Sequence, residues 1–136
     1  MRPVDSNIFL RYLTGDDPQK AAACLALFQR VQRGEEELTT NEVVLHEVLY
    51  ILSSKAHYSL SHAEAAARLL PLIRLPGMKL PGKGRHLRAL ELYGSYSWLD
   101  FADALSIAYV EEQGSAEILS YDTDFDRIPG IKRVEP

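Results

Sequence analysis

The stretch "DFADALSIAYVEEQGSAEILSYDTDFDRIPGIKRVE", residues 100–135, decides the fold. Asp100 precedes a mostly apolar run that closes at Gly114, which reads as a helix with both of its end signals. "AEILSY" then reads as a strand, and "IKRVE" as another after a turn. The same alternation runs through the residues before it. A very short strand at Arg2–Val4 precedes a helical "SNIFLRYL". "DDPQKAAACLALFQRVQRG" has an acidic start, Pro18 near its first turn and Gly34 at its end, all helix signals. "ELTT" is a short strand, and "NEVVLHEVLYILSSKA" and "SHAEAAARLLPLIRL" are helices, the second expected to be shortened or kinked at Pro71. "PGMKLPGKG" holds a brief strand between turns, and "RHLRALELYG" is a further helix. Strands separated by helices imply parallel strands joined by helical crossovers. The expected fold is α/β: a doubly wound, mostly parallel sheet of about four or five short strands flanked by helices, forming a single domain over residues 1–136. Ligands of such folds sit at the carboxyl ends of the strands.

The composition narrows the function. Apolar residues make up 46% of the 136, enough for a real core. Lys+Arg number 15 against Asp+Glu 19, a net charge of −4 that does not by itself advertise nucleic acid. Cys24 is the only cysteine and cannot form an internal disulfide; among alanines and leucines it reads as a small buried filler, which suits a reducing cytoplasm. The start "MRPVDSN" has no apolar signal core, and no stretch reaches the ~18 apolar residues of a membrane span. The expectation is a soluble cytoplasmic protein. His46, His57, His62 and His86 are scattered without zinc spacing.

The acids carry the chemistry. Asp5 follows the first strand directly and reads equally as a helix N-cap or as a site residue, since Ser6 and Asn7 could cap as well. Thr39 and Glu42 form a T-x-x-E pattern, so Glu42 is assigned to a capping box. Glu47 has no such occupation and stands beside the expected core stripe Val44, Val48 and Leu52. Asp100 is a candidate N-cap with Asp103 as the matching acid. Asp103, however, is surrounded by Ala102, Ala104, Leu105, Ile107, Ala108, Tyr109 and Val110, so its helix reads as apolar all round and buried. A buried carboxylate needs a partner, and no basic residue lies one turn away. In an extended chain Asp122, Asp124 and Asp126 would share one face at the end of a buried strand. An Asx-turn explains one of them; Asp126, beside Arg127, reads as solvent-facing.

Asp5 and Asp122 lie at one edge of a parallel sheet, and the helices of Glu47 and Asp103 can flank it. Two carboxylates about 4 Å apart repel by roughly 4 kcal/mol at an effective dielectric near 20. A divalent cation is the simplest compensation, and oxygen-only ligands favour Mg²⁺ or Mn²⁺ over zinc.

These segments resemble the PIN-domain ribonucleases, and especially the VapC-type toxins of prokaryotic toxin–antitoxin pairs. "VDSNIFLRYL" looks like the family's opening strand with its aspartate, "TTNEVVLHEVLYIL" like its glutamate helix, "DFADALSIAYV" like its D-A-L-type helix and "ILSYDTDFDRIPGI" like its closing T-x-D-x-D-F segment. Ser120 takes the place of the family's threonine. The resemblance implies a core acidic site of Asp5, Glu47, Asp103 and Asp122, with Asp100 and Asp124 as auxiliary metal ligands. It implies a Mg²⁺-dependent endoribonuclease in which Mn²⁺ can substitute. It also implies a cognate antitoxin, a homodimer and a single-stranded or looped RNA substrate. Lys79, Lys83, Arg85 and Arg88 are the one local concentration of positive charge. They read either as a solvated loop and helix start or as a phosphate-attracting flank of the site. Two rival readings stand beside the nuclease: an interaction domain of the same fold with a decayed site, and a metal-dependent phosphatase using the D-x-D of "YDTDF".

Overall fold

The computed structural model describes all 136 residues. Five short strands and six helices alternate: β1 Arg2–Pro3, α1 Ser6–Thr14, α2 Pro18–Gln32, β2 Leu38–Thr39, α3 Glu42–Ser53, α4 His62–Arg74, β3 Met78–Lys79, α5 Lys83–Ser95, α6 Phe101–Glu112, β4 Glu117–Leu119 and β5 Lys132–Val134. A 3₁₀ turn at Thr123–Arg127 lies between β4 and β5. Every expected strand and helix is present, and every strand pair is parallel.

The strands form two ladders, β1-β2-β3 and β4-β5, rather than one continuous sheet. Pro3 gives a physical reason why no further strand pairs on the outer edge of β1. The amides of Arg2 and Val4 point at β2, to the carbonyls of Glu37 and Thr39. Position 3 would supply the donor on the opposite edge of β1, and a proline has none. Parallel neighbours need a crossover of a dozen or more residues. For β4 and β5 the twelve residues 120–131 provide it, with the 3₁₀ turn in place of a helix.

The helices bury one contiguous core of 27 residues, among them Phe9, Leu45, Leu69, Leu90, Phe101 and Ile107. α4 continues through Pro71, contrary to the expected shortening. Pro71 and Ala67, whose carbonyl loses its helical partner, both face solvent, where water replaces the bond. Gly77 sits where a Cβ would come within 2.8 Å of Val31 Cγ1, so glycine lets β3 pass close to the end of α2. No helix is long and apolar enough to cross a membrane.

Candidate active site

Three of the acids are helix caps. Asp5 caps α1, its Oδ1 accepting from the amide of Asn7 at 3.1 Å. Asp100 caps α6, its Oδ1 accepting from the amide of Asp103 at 2.7 Å. Asp122 caps the 3₁₀ turn, its Oδ1 accepting from the amide of Asp124 at 2.9 Å. Ser120 Oγ in turn accepts from the amide of Asp122 at 2.9 Å, so this hydroxyl shapes the turn. Each bond engages one carboxylate oxygen and leaves the second free, so capping and metal ligation do not compete.

Asp103 occupies the first turn of α6 and is half-buried. Its carboxyl is pushed above the usual range, first by burial and then by the negative charges of Asp100, Asp122 and Asp124. These four acids, from α6 and from the turn after β4, are therefore brought into electrostatic contact. Asp5 and Glu47 are not among the groups that act on Asp103. Glu47 is exposed on α3 and makes no hydrogen bond or ion pair within the chain.

Several expectations are corrected. The helix of Asp103 is not buried all round: Ala102, Ser106 and Tyr109 are exposed, while Phe101, Ala104, Ile107, Ala108 and Val110 are buried. Alanine and tyrosine tolerate either environment, so an apolar alphabet overstated its burial. β4 is not a buried strand either, since Leu119 is 72% exposed. Asp122, Asp124 and Asp126 do not share an extended face, because the chain coils into the 3₁₀ turn from Thr123. Asp126 is solvent-facing, as expected, and pairs with Arg133 at 3.1 Å. Thr39 belongs to β2, so the Thr39–Glu42 capping box does not form. Asn41 caps α3 instead, accepting from the amide of Val44 at 3.1 Å. The core stripe of α3 is Leu45, Val48, Leu49 and Leu52, with Val44 half-buried.

The four basic candidates all have partners. Lys79 faces Glu37 at 3.6 Å. Lys83 donates to the carbonyls of Leu75 and Met78 at 2.7 and 2.8 Å, and burial lowers its pKa. Arg85 forms a two-pronged bond to Glu112 at 2.7 and 3.1 Å. Arg88 bonds Glu111 at 3.0 Å and faces Glu91 at 3.5 Å. One residue that the sequence reading passed over is Arg127. It lies 3.8 Å from Asp124 and stacks on Trp98, its guanidinium carbon 3.9 Å from the ring centroid. The i, i+3 spacing of Asp124 and Arg127 was the available signal for the pair; the stacking on Trp98 depends on tertiary structure.

No three His, Cys, Asp or Glu side chains stand in a grouping that could hold a metal ion. The donor chemistry does suit a hard divalent cation: carboxylate oxygens only, with Asp103 raised by burial and by neighbouring carboxylates of which Arg127 pairs with one, Asp124. The PIN domain family model matches residues 4–131, and the chain belongs to that family. PIN domains are in general nucleases, hydrolases acting on nucleic acids that typically use divalent metals. No curated protein matches the chain.

Proposed function

We propose that this PIN domain is a Mg²⁺-dependent endoribonuclease, the toxin component of a toxin–antitoxin pair, with Mn²⁺ able to substitute. It would act in the cytoplasm as a homodimer held in check by a cognate antitoxin. One observation carries the reading: burial, and then the charges of Asp100, Asp122 and Asp124, raise the Asp103 carboxyl, and nothing in the chain neutralises the group beyond the Asp124–Arg127 pair. A half-buried carboxyl raised by neighbouring carboxylates marks a functional-site candidate.

Asp5, Glu47, Asp100, Asp103, Asp122 and Asp124 are the residues proposed to hold the metal. When bound, a divalent ion supplies phosphate charge neutralisation and a lowered pKa for its water. The caps at Asp5, Asp100 and Asp122 fix one oxygen of each carboxylate and so limit how the other can swing. Arg127, braced on Trp98, is placed to pair with a phosphate oxygen beside Asp124. The partners of Lys79, Lys83, Arg85 and Arg88 leave them a secondary role, as a mixed-charge flank that RNA could share.

Because no three acids are gathered as placed, an interaction domain with a silent site is the reading to test against. Single-stranded RNA is incubated with wild type in Mg²⁺, with wild type in EDTA and with Asp103→Asn in Mg²⁺. Cleavage in the first arm alone supports the nuclease. Equal cleavage by Asp103→Asn removes that residue from the site, and silence in all three arms favours the interaction domain.

A further inference from the structure

A small recess opens beside Asp100, lined by His46, Tyr50 and Ser53 of α3, His62 of α4, and Tyr93 of α5. Its volume is about 100 Å³, the share of roughly three liquid waters. That is the scale of one flat ring, not of a duplex. Its outer wall is Tyr50, 63% exposed, one turn along α3 from Glu47. Its inner wall is rigid: the His62 ring stacks on Tyr93 with centroids 3.9 Å apart and an interplanar angle of 12°. His62 Nδ1 faces the carbonyls of Tyr93 and Tyr96, each at 3.2 Å, so Nδ1 carries the proton. In the tautomer whose Nδ1–H meets these carbonyls, Nε2 is the acceptor left at the recess.

We propose that this recess is a nucleobase subsite, in which Tyr50 stacks on an unstacked base of single-stranded RNA and His62 Nε2 accepts from its amino edge. The inference rests on the nuclease reading for its location, since Asp100 is shared with the acid group. It also answers a need of that reading. Lys79, Arg85 and Arg88 are spent on ion pairs and Lys83 on backbone carbonyls, so phosphate attraction by these four is weak. Stacking on aromatic side chains contributes to single-strand binding alongside phosphate attraction, and it tolerates any base. The His62 acceptor adds a preference. Adenine and cytosine offer an exocyclic amine to it, and uracil does not.

Binding is measured apart from cleavage, with Asp103→Asn protein in Mg²⁺ and fluorescein-labelled A12, C12 and U12 followed by anisotropy. The expected order is A12 and C12 tighter than U12. Tyr50→Leu, which keeps the apolar bulk and removes the ring, is expected to weaken A12 about tenfold, and Tyr50→Phe to restore it. A thermal melt and a size-exclusion mass accompany each variant. Unchanged affinity in Tyr50→Leu overturns the subsite, as does a change confined to oligomeric mass, which would make Tyr50 a contact between copies. Base-selective binding by a protein that never cleaves RNA sinks the nuclease reading and leaves the subsite standing.

Discussion

Asp100 commits one oxygen to the amide of Asp103 and keeps the other free. Its two roles are therefore separable. Serine caps about as well as aspartate but carries no charge, so Asp100→Ser is expected to change stability by only a few tenths of a kcal/mol. RNA cleavage should fall at least tenfold, and a melt and a rate assay on the same protein check both halves. Asp103 offers a test through pH. Its carboxyl is raised in the folded protein, so the fold binds that proton more readily than the unfolded chain. The ionised group thus costs stability above the raised pKa. That cost disappears as pH falls through the raised value toward the unfolded one near 3.9. Asp103→Asn removes it at every pH, so the variant should melt higher than wild type at neutral pH and converge on it in acid. A gap constant from pH 7 to pH 4 counts against the buried-charge argument. Residue type and chain position pointed to Asp5, Glu47, Asp103 and Asp122 as candidates, and the family resemblance added Asp100 and Asp124. They were not enough to show that three of these acids are caps, since a cap is a relation between a side chain and an amide two or three residues on. The Arg127–Trp98 stacking was out of reach for the same reason over a longer span.

Among the elements, α3 shows where local pattern misleads. T-x-x-E at Thr39–Glu42 is a genuine capping signature, but strand pairing with β1 and β3 holds Thr39 in β2 and moves the cap to Asn41. Asn41→Ala should therefore cost about 1 kcal/mol and leave cleavage intact. Glu47→Gln should leave the melt unchanged, because Glu47 is exposed and unpaired, and should damage cleavage. Exchanged phenotypes would show that the assignment of this helix is wrong. Strands and helices were legible because Pro, Gly and acidic caps punctuate the chain. The exposure of β4 and of one side of α6 was not, because burial depends on what packs against an element. β4 pairs with β5 alone, and the face that carries Leu119 is left uncovered, so Leu119 stays in solvent.

At the scale of the molecule, the parallel order was legible from alternation, whereas the break between the two ladders was not. The proline that strips β1 of its outer donor was in plain view, but its meaning required knowing which edge of β1 faces β2. This arrangement leaves Asp5 at the end of one ladder and Asp122 and Asp124 beyond the end of the other. A metal that draws on both must tie the two parts together, and it can do so only in the folded chain. Mg²⁺ or Mn²⁺ should then stabilise by mass action, roughly 2.7 kcal/mol at a hundredfold excess over the dissociation constant. Ca²⁺ should also raise the melting temperature, since it accepts oxygen ligands, but it should support cleavage poorly because its coordination is loose. Asp5→Asn is the discriminating variant. Asparagine keeps the cap on α1 and removes the charge, so its metal-free melt should stay close to wild type. Its Mn²⁺-dependent rise should shrink sharply. Titrating Mn²⁺ into both proteins while following the melting temperature decides the matter. Equal rises would mean that Asp5 is a cap alone and that the acids of the two ladders do not share one ion.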